Sequence, residues 1–83
     1  MLSEDYLRSV MHPRKAYSYR QLEMDIGFTK HEISKLRWAV SQGLLTALNK
    51  TRIEKTLYFR GWQVIKVYKE VVINGGKLEV SEN

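Results

Sequence analysis

The 83-residue sequence predicts a small α+β domain that is mainly helical, with a three-helix core, a β-hairpin and a C-terminal helix. Two helix-start patterns stand close together near residues 18 and 29, and short apolar runs flank a polar stretch between residues 44 and 60. A chain of this length buries only one core. We therefore predict a single domain over residues 1–76, followed by a flexible tail at 77–83.

The first helix is predicted just after the N-terminus. Ser3 is a suitable N-cap, and Glu4 and Asp5 fall in the first turn, where the helix dipole favours acidic side chains. His12-Pro13 ends this helix, because the residue before a proline is pushed out of the α region. Apolar side chains at helical spacing give it one buried stripe, formed by Tyr6, Leu7, Val10 and Met11.

The second and third helices are predicted from a repeated capping pattern. Ser18 followed by Gln21 has the form of a capping box, and Thr29 followed by Glu32 has the stronger form because its third residue is Glu. Between them, Gly27 supplies the left-handed conformation that ends a helix. The third helix therefore spans residues 30–42 and ends before the glycine at position 43.

Beyond the third helix, residues 44–48 and 56–60 read as two strands of a hairpin with a loop at 49–55. Residues 62–73 contain many β-branched side chains, which is typical of a strand, yet their length and the following Asn-Gly-Gly are typical of a helix. Helical spacing gathers five apolar side chains on one side of this segment, namely Val64, Ile65, Tyr68, Val71 and Val72. This grouping favours a helix and leaves a strand as the alternative.

The positive charge is concentrated in the middle of the chain. Residues 12–60 hold ten Lys or Arg against four Asp or Glu, whereas residues 61–83 hold three of each and residues 1–11 hold one against two. A basic middle segment is typical of proteins that bind nucleic acid. The alternative is a basic surface that only keeps the protein in solution.

Several classes of protein are disfavoured by composition. There is no cysteine, so disulfides and thiolate metal sites are excluded, and the two histidines have no cluster of acids around them. We predict no metal, no cofactor and no catalytic residue. No apolar run approaches the roughly 20 residues of a membrane span, and the N-terminus is too polar for a signal peptide. The expected location is cytoplasmic and nucleoid-associated, with no membrane partner.

The segment SYRQLEMDIGFTKHEISKL, continued by RWAVSQGLL and a hairpin that ends in LYFR, resembles a winged helix-turn-helix domain. The resemblance covers about half of the chain. It departs from the commonest spacing, because Ile33, Leu36, Val40 and Gly43 follow one another at intervals of three, four and three. The resemblance implies binding of double-stranded DNA, with the third helix in the major groove and the hairpin, or wing, beside the backbone.

A helical wheel of the third helix predicts which side faces DNA. Ile33, Leu36, Val40 and Leu44 fall together and should pack inward. The opposite side is rich in donors, which can pair with phosphates or base edges. Trp38 on this side needs cover, from the hairpin, the first helix, DNA or a protein partner. The predicted contact residues are Lys30, His31, Ser34, Lys35, Arg37 and Trp38, with Gln42 on the same side.

Three further groups of residues complete the predicted sites. The wing would contact the backbone or minor groove through Lys50, Arg52 and Lys55. The start of the second helix would contact phosphate through Arg14, Lys15 and Arg20. The C-terminal helix has an apolar arc wider than one domain needs, which predicts a homodimer interface at Val64, Val67, Tyr68 and Val71.

The function expected from the sequence is therefore double-stranded DNA binding by a transcriptional regulator. One alternative is a winged-helix module for protein–protein interaction, which would dock its partner at Trp38 and the C-terminal helix. Another is a non-specific architectural binder of nucleic acid, whose affinity would depend on salt but not on base sequence.

Overall fold

The computed structural model describes residues 1–49 and 56–75, and it is mainly helical with one small antiparallel sheet. Two of the helices continue directly into five-residue π-helical turns: α2 (Tyr19–Gln21) into Leu22–Ile26, and α4 (Gly61–Tyr68) into Lys69–Ile73. The coarse prediction of an α+β, mainly helical fold is confirmed. The elements are α1 (Glu4–Val10), β1 (Ala16–Ser18), α2 (Tyr19–Gln21), α3 (Lys30–Ser41), β2 (Tyr58–Arg60) and α4 (Gly61–Tyr68).

Local side-chain bonds start the helices where the sequence predicts. The Ser3 hydroxyl caps α1, and complete capping boxes join Ser18 to Gln21 and Thr29 to Glu32. Gly27 ends the second helical segment in the left-handed region at φ 104°. The N–H groups of Gly27 and Phe28 both donate to the Leu22 carbonyl, at 3.0 and 2.9 Å. These predictions are confirmed, and they fix the tight connection between α2 and α3.

The sheet differs from the predicted hairpin. β2 pairs with β1, with Tyr17 opposite Phe59, and residues 44–48 form no strand. One backbone bond, from Leu48 N–H to the Tyr58 carbonyl at 2.7 Å, joins this segment to β2. Residues 44–48 have a different partner, since the Thr46 backbone N–H and C=O pair with the Gln63 side-chain amide at 3.2 and 3.0 Å and are not available to a strand.

The segment 62–73 is helical, as predicted, and its first helical residue is Gly61. Its apolar side packs against α1 and α3 within the same chain. This corrects the predicted dimer interface, because the residues assigned to it are all buried in the core: Val64, Val67, Tyr68 and Val71. The wide apolar arc serves two neighbouring helices, and the oligomeric state itself stays a prediction. The predicted tail, residues 77–83, lies outside the described residues.

Gly61 marks the closest approach between two parts of the backbone. Its N–H donates to the Lys15 carbonyl, and the N–H of Trp62 donates to the Pro13 carbonyl, both at 2.9 Å. A Cβ atom at Gly61 would lie 2.1 Å from the carbonyl oxygen of His12. Only glycine therefore lets α4 begin directly against the turn between α1 and β1.

Replacing Gly61 with alanine should destabilise the fold. The added methyl group must displace backbone, and overpacking of this kind costs roughly 1–3 kcal/mol or more. We expect Gly61→Ala to lower the free energy of unfolding by about that amount in urea titrations. Gly75→Ala is the matched control, because its Cβ would meet only the Lys35 amino nitrogen at 3.9 Å. Equal stability of the two variants would contradict the crossing described above.

Candidate nucleic-acid interface

The helix α3 presents a polar side to solvent and buries the other. Glu32, Ile33, Leu36 and Ala39 are its buried residues. Val40 is only half-buried and Leu44, which was predicted to pack inward, is 47% exposed. The buried side of α3 is therefore rotated from the predicted one, so that it includes Glu32 and Ala39 and excludes Leu44. The reason is that α3 packs against α4 and the π-helical turn that follows α4.

This rotation leaves most of the predicted contact residues outside. Lys35 is half-buried, and its amino nitrogen lies near Gly75 at the end of the C-terminal helix. Lys35 thus lies at the flank of the polar side and not at its centre. The exposed residues are Lys30, His31, Ser34, Arg37, Trp38 and Gln42.

The only carboxylate of α3 is withdrawn from this surface. Glu32 is 5% exposed and accepts hydrogen bonds from the Thr29 N–H at 2.9 Å and from the Tyr68 hydroxyl at 2.6 Å. The same hydroxyl accepts from the Leu2 N–H at 2.8 Å. Glu32 thus connects the start of α3 to α4 and to the N-terminal segment, and the exposed side of α3 carries no acidic group.

Burial and hydrogen bonding act in opposite directions on the pKa of Glu32. Burial raises it, but the bonds from Tyr68 and Thr29 outweigh burial and hold the pKa of Glu32 below its ordinary value. Burial, followed by the bond to Glu32, raises the pKa of Tyr68. The pair therefore consists of a carboxylate and a neutral phenol at neutral pH, and Tyr68 is the donor.

Arg37 is positioned by an aromatic neighbour that the sequence analysis missed. Its guanidinium carbon lies 5.1 Å from the ring centre of Tyr19, and the Tyr19 ring in turn packs against Phe59 at 5.2 Å. Burial raises the pKa of Tyr19, which the charge of Arg37 offsets only in part. A cation stacked on a supported ring loses less freedom when it binds an anion.

Arg37 also lines two neighbouring clefts. The first, of about 320 Å³, contains Arg20 and Thr56 and has no carboxylate among its lining residues. The second, of about 400 Å³, is lined by Lys30 and Ser34 and also by the carboxylate residue Glu23. The first cleft is the better site for a phosphate, since no negative charge opposes it. The first cleft forms where α2, α3 and the approach to β2 meet, and the second where α3 meets the π-helical turn that follows α2. No sequence spacing signals either cleft.

The cations at the start of the second helix separate into two groups. Arg20 lines the first cleft, and its contact with phosphate stays a prediction. Arg14 and Lys15 are exposed in the turn before β1; the Arg14 carbonyl accepts from the Arg60 side chain at 2.7 Å, and the Lys15 ammonium lies 5.4 Å from the ring centre of Tyr17. The described contacts of Arg14 and Lys15 thus lie within their own turn, with the sheet and with the start of α4, and not with α3.

Trp38 remains 49% exposed, so packing within the chain covers only about half of it.

The predicted wing cations Lys50, Arg52 and Lys55 lie outside the described residues. Within residues 1–49 and 56–75 there is no group of three or more His, Cys, Asp or Glu that could hold a metal. None of the helices in that part of the chain is long and apolar enough to cross a bilayer.

Comparison of the chain with protein-family models, with curated proteins and with solved structures found no match.

The Glu32–Tyr68 bond should contribute to stability in a pH-dependent way. A hydrogen bond to a charged group contributes about 1.5–3 kcal/mol, so Tyr68→Phe should lower the free energy of unfolding by about that amount at pH 7. Because the pKa of Glu32 is lowered on folding, its stabilisation is present above the ordinary value of 4.5 and is lost as the pH falls through the folded pKa. The difference between Tyr68→Phe and the wild type should therefore shrink in acid.

Urea titrations at pH 7 and in acid measure this effect. Tyr58→Phe is the control, since the Tyr58 hydroxyl makes no hydrogen bond within the described residues. A Tyr68→Phe deficit that stays the same at both pH values would contradict the charge-assisted bond.

Proposed function

We propose that this chain is a winged helix-turn-helix protein that binds double-stranded DNA and acts as a transcriptional regulator. The observation that carries the proposal is the exposed side of α3, which offers cations and hydrogen-bond donors while its only carboxylate, Glu32, is buried and bonded. A helix of this kind is suited to the acidic major groove. Such a role would place the protein with cellular DNA, in the cytoplasm and associated with the nucleoid.

The connection before α3 supports this proposal. The segment that begins at α2 ends at Gly27, and the buried Phe28 packs its ring 4.9 Å from that of Tyr68. α3 then starts at once from the Thr29 cap. This packing holds one side of α3 against the core, so that the opposite side projects. The turn therefore has the property that a recognition helix requires.

The sheet supports the position of a wing. β2 is paired to β1, which leads directly into α2. The Asn49 side chain bridges to the Thr56 carbonyl at 2.7 Å and to the Tyr58 N–H at 2.8 Å. Asn49 and Thr56, the described residues on either side of segment 50–55, are thereby held together, and Thr56 lines the Arg20–Arg37 cleft.

The residues of the interface would have different roles. Arg20, Arg37 and Lys30 lie along the clefts between α2 and α3, where they are suited to backbone phosphates. His31 and Ser34 are exposed on α3 and are suited to base edges. Lys35, on the flank, is the least suited of the predicted residues to a base contact.

Removal of two interface cations should weaken DNA binding in a salt-dependent way. If Lys30 and Arg37 each contact a phosphate, the Lys30→Ala/Arg37→Ala variant should flatten the slope of log K against log salt by roughly 0.9 per lost contact. Gel-shift titrations with random duplex at several salt concentrations measure the slope. Lys66→Ala is the control, because Lys66 is an exposed cation on α4. Parallel salt slopes for the double variant and the wild type would refute this role for α3.

Neutralising the wing should act on the same slope. Lys50, Arg52 and Lys55 carry three positive charges, so the triple alanine variant should lose up to about 2.7 from the slope if each contacts one phosphate. The measurement is the same titration, performed with the wild type alongside. A slope that does not change would show that the loop points away from DNA.

Two other functions remain as competing proposals. The 49% exposure of Trp38 favours a protein–protein interaction module, in which Trp38→Ala would abolish partner binding and leave DNA affinity unchanged. A non-specific architectural binder would show the salt dependence without preferring any sequence among selected duplexes. Selection of duplexes from a random pool separates these cases, because only the regulator enriches a defined site.

Dimerisation is a separate proposal within this function. A two-fold dimer would place two copies of α3 about one DNA turn apart. The buried valines of α4 are not available for it, so another surface would have to form the contact. Sedimentation of the protein with and without a duplex reports the oligomeric state directly.

A further inference from the structure

A groove between α1 and α4 is left unused by the proposed DNA interface. It is lined by Glu4 and Arg8 from α1, by Pro13 from the following turn, and by one side of the C-terminal helix: Trp62, Ile65, Lys66 and Lys69. Its volume of about 250 Å³ is below the range of most small-molecule sites. Side chains of a peptide fit a groove of this size better than a cofactor does.

The groove faces away from α3. On a helical wheel, Trp62 lies roughly 140–160° from Val64 and Val67, which form the side of α4 that is buried in the core, and Lys66 lies about 40° from Trp62. α3 packs on that buried side. A partner in the groove would therefore leave the exposed side of α3 accessible.

Trp62 is the most exposed aromatic side chain of the described residues, at 53%. The backbone that carries it is held in place, because the Trp62 N–H bonds to the Pro13 carbonyl at 2.9 Å. Together with Pro13 and Ile65 it provides an apolar surface in the groove. A large apolar side chain on a fixed backbone is typical of the residues that dominate binding energy at protein interfaces.

The charges around this surface are mostly positive. The Glu4 carboxylate is bonded by Arg8 at 2.7 Å and lies 3.4 Å from the Lys69 ammonium. Lys66 forms no ion pair within the described residues. Three cations thus face one carboxylate that is already neutralised, and the surplus favours an acidic partner.

We propose that this groove binds an acidic peptide segment that carries aliphatic side chains. The aliphatic groups would cover Trp62, Pro13 and Ile65, and the carboxylates would pair with Lys66 and with the outer sides of Arg8 and Lys69. A single-stranded nucleic acid is the weaker occupant, because stacking platforms use several aromatic rings and this groove has one. The site is independent of the proposed DNA function.

A blocked nine-residue peptide of three Glu-Leu-Glu repeats is the probe for this site. We expect it to shift the indole N–H signal of Trp62 in ¹H–¹⁵N spectra of the full chain, where the only other indole signal comes from Trp38. The matched Gln-Leu-Gln and Glu-Ser-Glu peptides remove charge and aliphatic surface in turn, and both should bind at least about tenfold more weakly. Equal binding of all three peptides, or no shift with any of them, would overturn the proposal.

Variants locate the binding to the groove. Lys66→Glu and Trp62→Ala should each weaken the Glu-Leu-Glu peptide about tenfold or more, with Trp62→Ala followed through backbone signals of α4. Lys30→Glu, on the exposed side of α3, should leave peptide affinity unchanged. Loss of peptide binding in Lys30→Glu would place the peptide on the proposed DNA interface and refute the inference. Tighter binding of a thymidine nonanucleotide than of the peptide at Trp62 would assign the groove to nucleic acid and refute it as well.

Discussion

The hydrogen bond between Glu32 and Tyr68 ties the presentation of α3 to the rest of the molecule. One oxygen of the Glu32 carboxylate completes the capping box of α3, and the other accepts from Tyr68 in the C-terminal helix. Burying a carboxylate is costly unless its bonds replace water. Because the bond to Tyr68 is made only when α3 lies against α4 in one orientation, the carboxylate favours that orientation.

The electrostatic consequence reaches the surface. Since Glu32 is turned into the core, the exposed side of α3 is free of negative charge although the helix contains an acid. Arg37 is supported from below by Tyr19, which rests on Phe59 of β2. The same core that positions α3 therefore also orders Arg37, one of its principal cations. A mutation of Tyr19 or Phe59 would alter the position of the Arg37 guanidinium.

A second constraint, the contact at Gly61, organises the opposite side. In the turn between α1 and β1, the carbonyl oxygens of Pro13 and Lys15 accept hydrogen bonds from the first N–H groups of α4, which supplies partners that a helix start otherwise lacks. This contact brings Pro13 beside Trp62 and forms one end of the groove. The protein thus has two surfaces with an excess of positive charge on different sides of one core. The first is the projecting, polar side of α3, and the second is the recessed groove between α1 and α4, which also contains apolar side chains.

The sequence by itself determined the local features of this protein. The caps at Ser3, Ser18 and Thr29 and the stop at Gly27 were predicted correctly, because each depends on bonds between residues at most six positions apart. The exposed side of α3 was also largely predictable, since a 3.6-residue period places polar side chains together. The choice of helix for residues 62–73 followed from the same period.

Only the tertiary structure decided which elements meet. β1 has three residues and pairs with a strand about forty positions away, so no local pattern marks it. The burial of Val64 and Val67, the rotation that hides Ala39 and exposes Leu44, and the stacking of Arg37 on Tyr19 all depend on contacts between distant segments. Hydrophobic burial is not directional, so an apolar side chain can be buried equally well within its own domain or against a second copy of the chain. Only the packed core shows which of these two contacts the side chain makes.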